Sequence, residues 1–180
     1  MTESEKSYKE YLKNITTFIF DVDGVLTDGT IQVNTNGELL RTMHIKDGYA
    51  LKVAVEQGFR VCIISGGTNE GVRKRLENLG IKDIYLGISN KIEVLNDYMK
   101  THFLERENIL YMGDDLPDYH IMKEVGLACC PQDAVPEIKA ISGYISHKNG
   151  GKGCVRDVIE QVMKIHGKWT IASGAAAKLD

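Results

Sequence analysis

The chain has 180 residues, 43% of them hydrophobic and 26% charged, with a formal net charge of -3. That length suits one domain with a sizeable core, and the composition excludes disordered and fibrous classes. A mean hydropathy of -0.20 and a pI near 6.0 disfavour nucleic-acid binding by bulk charge, and no apolar run approaches the roughly 20 residues of a membrane helix.

The opening MTESEKSYKEYLKN is polar and predicts no signal peptide, with a short helix over residues 6–13. TFIFDV (17–22) reads as a buried strand ending in acids. TIQVNTNGELLRTMHI (30–45) alternates with period two about Asn36-Gly37, which predicts a hairpin projecting from the sheet. A helix over 47–58 closes on Gly58, a strand follows at 60–65, and a helix over 69–80 closes on Gly80. Strand 84–87, helix 90–103, strand 109–113 and a short helix near 117–125 come next. The last strands are expected at 127–130 and 143–146, with a helix near 134–140 between them, and a helix over 155–167 closes the fold. Continuous apolar strands alternating with amphipathic helices predict an α/β fold, a doubly wound parallel sheet covered on both faces. Ligands of such sheets gather beyond the carboxyl ends of the strands.

Cys62, Cys129 and Cys130 fall in apolar strands and Cys154 opens the last helix, without metal-ligand spacing. Free buried thiols in a reducing cytoplasm are the expectation.

Of 12 aspartates, six lie in two windows: Asp21, Asp23 and Asp28 in DVDGVLTDG, and Asp114, Asp115 and Asp118 in GDDLPD. Each window follows a buried strand, so both open at the same sheet edge. Clustered carboxylates raise one another's pKa unless a cation compensates. An all-oxygen set favours a hard ion, and Mg²⁺ is the usual choice where phosphate completes the shell. An EF-hand is excluded, because Val25 and Leu26 stand where that loop needs an oxygen ligand and a glycine. Ser65-Gly66-Gly67-Thr68 joins a strand to a helix and offers a hydroxyl and backbone N–H groups to an anion. Lys91 opens the following helix, NKIEVL. Walker A, GxGxxG and HExxH patterns are absent, and NGGKG (149–153) resembles a phosphate loop only loosely.

In order, strand–DVDGVLTDG, strand–SGG, a helix-borne lysine and strand–GDDLPD resemble the four-motif signature of the haloacid dehalogenase-like phosphatase superfamily over residues 15–167. KDGYALK and GGKGCVRD extend the resemblance to its capless sugar-acid phosphatase branch. The resemblance implies a Rossmann-like core with a β-hairpin flap (30–45) and no cap domain. Residues 1–14 are then an N-terminal helical extension and 168–180 a tail.

The resemblance implies a Mg²⁺-dependent phosphomonoester hydrolase acting through an aspartyl-phosphate on an eight-carbon sugar-acid phosphate of lipopolysaccharide precursor synthesis. Asp21 would be the nucleophile and Asp23 the general acid and base. Mg²⁺ would sit on Asp21, the Asp23 carbonyl and Asp114, with Asp115 and Asp118 as outer groups. Ser65, Gly66 and Lys91 would bind the phosphoryl group. Substrate contacts would come from His44, Ile45, Lys46, Asp47, Gly48, Lys52 and Arg75. Lys46 and Lys52 stand where the branch often carries arginine, which leaves a nine-carbon sialic-acid-type phosphate as an alternative. A non-catalytic oligomerising module is a third reading, against which the intact acids and Lys91 argue. Thr27 to Phe59 and Gly66 to Ser89 leave no room for a cap, so the site is open in a monomer, and either the substrate is macromolecular or a neighbouring subunit closes the site. The resemblance implies the second, a cytoplasmic homotetramer in which neighbouring subunits complete each site.

Overall fold

The computed structural model describes residues 7–169. In chain order the elements are α1 (Tyr8–Leu12), β1 (Thr17–Phe20), β2 (Gln32–Val33), β3 (Leu39–Leu40), α2 (Ile45–Glu56), β4 (Arg60–Ile64), α3 (Glu70–Asn78) and β5 (Asp83–Tyr85). They continue as α4 (Lys91–His102), β6 (Ile109–Met112), α5 (Tyr119–Met122), β7 (Leu127–Cys130), α6 (Pro136–Ile141), β8 (Tyr144–Ile145) and α7 (Cys154–Ile165). Short 3₁₀ turns precede β6 and α5.

Six strands form a parallel sheet in the order β5–β4–β1–β6–β7–β8. The chain leaves β1 toward β4 and β5, then returns to the other side of β1 with β6. The order therefore reverses at β1, and a crevice opens between the carboxyl ends of β4, β1 and β6. All four residues of β1 are buried. Its alternate side chains enter different cores: Phe18 and Phe20 join Leu51, Leu76 and Val158, whereas Ile19 joins Leu95, Tyr98 and Ile138. Helices thus cover both faces, as near-continuous apolar strands require. Cys62, Cys129, Cys130 and Cys154 are all free and buried in these cores.

α1 belongs to the same packing. Leu12 is in the core, the Tyr8 hydroxyl donates to Gln161 Oε1 at 3.1 Å, and the Tyr8 and Tyr144 rings lie 4.7 Å apart. Residues 170–180 of the expected tail lie outside the described residues.

The hairpin forms, but its strands are only two residues each and its turn sits earlier than the Asn36-Gly37 pair suggests. Gly37 N donates to Asn34 O at 3.0 Å, so Thr35 and Asn36 are the central residues and Gly37, at φ +78°, is the left-handed residue that follows. The Asn34 side chain decides this, since its Oδ1 accepts from both Asn36 N and Glu38 N at 3.0 Å. The short helix expected near 117–125 is also broken. It begins as a 3₁₀ turn over Leu116–Asp118, where Pro117 has no N–H to give.

Candidate active site

β1 ends by placing Asp21 at the crevice. Asp21 N still donates to Met112 O at 3.1 Å, continuing the ladder, while Asp21 Oδ1 accepts from Val22 N at 2.7 Å. The chain then turns sharply. Buried Thr27 holds the turn from inside, its Oγ1 accepting from Gly24 N and Gly29 N at 3.3 Å each.

Two glycines let this loop meet its neighbours. Gly24 has φ +84°, and a Cβ there would fall 1.9 Å from Asp114 Oδ2. A Cβ on Gly150 would fall 1.9 Å from Gly24 O, and Gly151 N donates to Val25 O at 2.9 Å. The NGGKG segment is therefore a backing for the Asp21 loop.

Lys91, at the start of α4, is buried between two acids: its Nζ lies 3.1 Å from Asp21 Oδ2 and 2.7 Å from Asp118 Oδ1. Burial pulls the Lys91 pKa down, but Asp21 and Asp118 more than offset this and hold it above its usual value. Asp118 Oδ1 also accepts from the Tyr111 hydroxyl at 2.6 Å, and its Oδ2 from Asp114 N at 3.1 Å. Asp118 is 1% exposed.

Carboxylate oxygens of Asp21, Asp114 and Asp118 lie within 4.8 Å of one another. Burial first, and Asp118 next, push Asp21 up to about 6 and Asp114 up to about 7. Lys91 offsets only part of the mutual repulsion, and a further cation would relieve the rest. The donors are all hard oxygens gathered this closely, so these residues fit Mg²⁺. Asp118 already accepts from three donors, Lys91 Nζ, the Tyr111 hydroxyl and Asp114 N.

Ser65 follows β4 and is 2% exposed. Its Oγ accepts from Gly67 N at 3.3 Å. α3 starts only at Glu70, with Asn69 as its cap accepting from Val72 N at 2.9 Å. Asp21, Asp23, Ser65, Gly66, Lys91, Asp114, Asp115 and Asp118 line one cleft of about 430 Å³. Asp115 is exposed there and its Oδ1 accepts from Leu116 N at 2.8 Å.

The other residues singled out in the sequence are not brought to this cleft. Asp47 is 1% exposed and caps α7: its Oδ1 accepts from Arg156 N at 2.7 Å and its Oδ2 from Gly153 N at 3.2 Å. His44 and Lys46 line a separate cleft of about 610 Å³ with Lys152, Arg156 and Lys164. Ile45 is exposed. Gly48 faces Arg75, whose Nη2 would lie 2.9 Å from a Cβ on that glycine. Lys52 is half-buried on α2.

Sequence reasoning passed over two side chains. Tyr111 reads as strand filler, yet its hydroxyl helps hold Asp118. Arg41 grips Asp23 with Nε at 2.7 Å from Oδ1 and Nη2 at 3.0 Å from Oδ2. Its signal was that residues 30–45 contain no other arginine or lysine.

A haloacid dehalogenase-like hydrolase family model matches residues 83–159. The 3-deoxy-D-manno-octulosonate 8-phosphate phosphatase KdsC of Salmonella typhi is 38% identical over 162 residues, 90% of this chain and 86% of that protein. The crystal structure of the 3-deoxy-D-manno-octulosonate 8-phosphate phosphatase of Yersinia pestis superposes with a TM-score of 0.88 at 32% identity, covering 91% of this chain and 88% of that one. That of the Moraxella catarrhalis enzyme, in complex with magnesium, phosphate and KDO, gives 0.86 at 33% identity, covering 90% and 93%. The chain therefore belongs to the haloacid dehalogenase-like hydrolases, and among them to the 3-deoxy-D-manno-octulosonate 8-phosphate phosphatase family.

Proposed function

We propose that this protein is a Mg²⁺-dependent phosphomonoester hydrolase that releases phosphate from 3-deoxy-D-manno-octulosonate 8-phosphate in lipopolysaccharide precursor synthesis. The observation that carries this reading is Asp21 at the switch point of the sheet, with Lys91 Nζ at 3.1 Å and Asp114 in the same acidic cluster. An Asp21 oxygen attacks phosphorus in line, and the bond from phosphorus to the sugar oxygen breaks. Asp23 gives the departing oxygen its proton. Asp23 then takes a proton from the water that attacks the aspartyl-phosphate, which frees phosphate and restores Asp21. Lys91, Ser65 and the N–H of Gly66 hold the phosphoryl oxygens through both steps. Mg²⁺, held by Asp21, Asp114 and the Asp23 carbonyl, would neutralise charge on the phosphoryl group, while Asp115 and Asp118 orient the groups around it.

Residues 15–167 form the catalytic core in this reading, with 30–45 as its flap. The enzyme acts as a cytoplasmic homotetramer. Two features support the assembly: among the described residues no cap lies over the cleft, and the hairpin exposes Ile31, Val33, Leu39 and Leu40, apolar surface of the kind that marks an interaction site. Cations remote from their own cleft, such as Lys46 and Arg75, would then serve the cleft of a neighbouring copy. Among the described residues no helix is long and apolar enough to cross a membrane.

Phosphate release from eight- and nine-carbon sugar-acid phosphates, with Mg²⁺ and with EDTA, tests the reading. The expected result is Mg²⁺-dependent turnover with the highest kcat/KM on the eight-carbon substrate. A preference for the nine-carbon substrate would reassign the sugar, and no release from either would remove the activity.

A further inference from the structure

The flap is joined to the acid–base residue. Arg41 follows β3, and its guanidinium makes a two-pronged contact with both oxygens of Asp23, at 2.7 and 3.0 Å. The Arg41 side chain is only 8% exposed, whereas that of Asp23 is 43% exposed. The buried member of the pair is thus the arginine, and the accessible one is the carboxylate that lines the Asp21 cleft. The flap is itself fastened at this point, because Asn69 Nδ2 donates to Leu39 O at 2.7 Å and Arg41 Nη1 donates to the same oxygen at 3.4 Å. Gly67 leaves the pair its space: a Cβ there would lie 3.3 Å from Asp23 Oδ2 and 3.4 Å from Arg41 Nη2.

We infer that Arg41 is a positioning residue for Asp23, through which the flap sets the aim of the catalytic proton. A carboxylate offers about four lone-pair sites, and the guanidinium fork occupies two of them. The remaining outward sites face the cleft and carry the proton to and from the reacting oxygens. A planar fork fixes the carboxylate plane in a way that a single ammonium does not. The inference rests on the proposed role of Asp23.

The test compares an alkyl phosphate, the sugar-acid phosphate, with an aryl phosphate, p-nitrophenyl phosphate. Nitrophenolate leaves without needing a proton, whereas the sugar alkoxide requires one. General acid–base catalysis contributes about 10²–10⁴-fold. Arg41→Gln is therefore expected to lower kcat/KM on the alkyl substrate by about 100-fold and on the aryl substrate by less than about fivefold. With p-nitrophenyl phosphate it should also show a burst of nitrophenol matching the enzyme concentration, because water attack on the aspartyl-phosphate is slowed. Equal losses on both substrates, or no loss on either, would overturn the inference. Arg41→Lys, which keeps the charge, covers the case in which the glutamine variant does not fold. Its alkyl-to-aryl ratio should fall by about tenfold, and an unchanged ratio there also overturns the inference. Asp23→Asn separates the two layers. If it leaves the ratio unchanged, the role of Asp23 fails and this inference with it; if it splits the substrates and the Arg41 variants do not, only this inference fails.

Discussion

Lys91 Nζ sits 2.7 Å from Asp118 Oδ1 in a region where Lys91 is 6% and Asp118 1% exposed. A pair this buried is strongly interdependent, because removing one partner leaves an uncompensated charge. Asp118→Ala is expected to cost about 3 kcal/mol of unfolding free energy, since the Tyr111 hydroxyl and Asp114 N lose an acceptor as well. Urea denaturation measures this. Asp118→Asn keeps an oxygen for one of those donors, so it should lose less stability while still lowering kcat.

Asp21→Asn should abolish turnover, by at least about 10⁴-fold, while leaving the far-ultraviolet circular dichroism unchanged. The variant removes one of the mutually repelling buried acids. Metal-free protein should then melt no lower than the wild type near neutral pH, and wild-type-like rates would eliminate Asp21 as nucleophile.

Gly24→Ala should damage the acidic cluster from the backbone side. The residue would be held at φ +84°, with its Cβ 1.9 Å from Asp114 Oδ2. Left-handed backbone alone costs a non-glycine residue about 1–2 kcal/mol. Displacement of Asp114 should also weaken Mg²⁺ binding tenfold or more, which calorimetric titration would register. Unchanged Mg²⁺ affinity would mean that Asp114 is not a ligand.

The raised acids give metal-free protein an unusual pH dependence. Asp21 and Asp114 titrate near 6 and 7 in the folded state against an ordinary 3.8. Between those values the folded chain binds more protons at these two acids than the unfolded one, so their contribution to stability is greatest at low pH and is lost as pH rises through 6 to 7. A cation reverses the preference, because it requires both carboxylates deprotonated. In EDTA the melting temperature should fall between pH 5 and 7.5, and the rise on adding Mg²⁺ should be larger at pH 7.5 than at 5.5. Equal Mg²⁺ shifts at both values would contradict the metal site.

Asp47→Ala should be a stability variant. Both oxygens cap α7, and losing such a cap costs about 1–2 kcal/mol. The unfolding midpoint should drop while KM stays within about twofold, and a large KM change at full stability would place Asp47 against substrate.

Much of the fold was legible because strands buried on both faces read as unbroken apolar runs. TFIF, VCII, ILYM and LACC all occupy the central parallel sheet. Helix ends were legible to within a few residues, where Gly58 and Gly80 take positive φ after α2 and α3. The carboxylate cluster was legible too, because strand ends of one parallel sheet share an edge. The hairpin turn was read less accurately, since the Asn34 side chain competes with the Asn36-Gly37 signal for the same backbone N–H groups.

Sequence alone determined the class of this protein, a doubly wound parallel sheet with two acidic loops at one edge. Local propensity and hydrophobic period carry that information, because both are written in neighbouring residues. The tertiary structure decided which charges meet. It buried Asp47 beneath α7, gave His44 and Lys46 to another cleft, and joined Arg41 to Asp23 across 18 positions. A salt bridge depends on where two side chains arrive after packing, and nothing in the residues next to Arg41 records that Asp23 will be there.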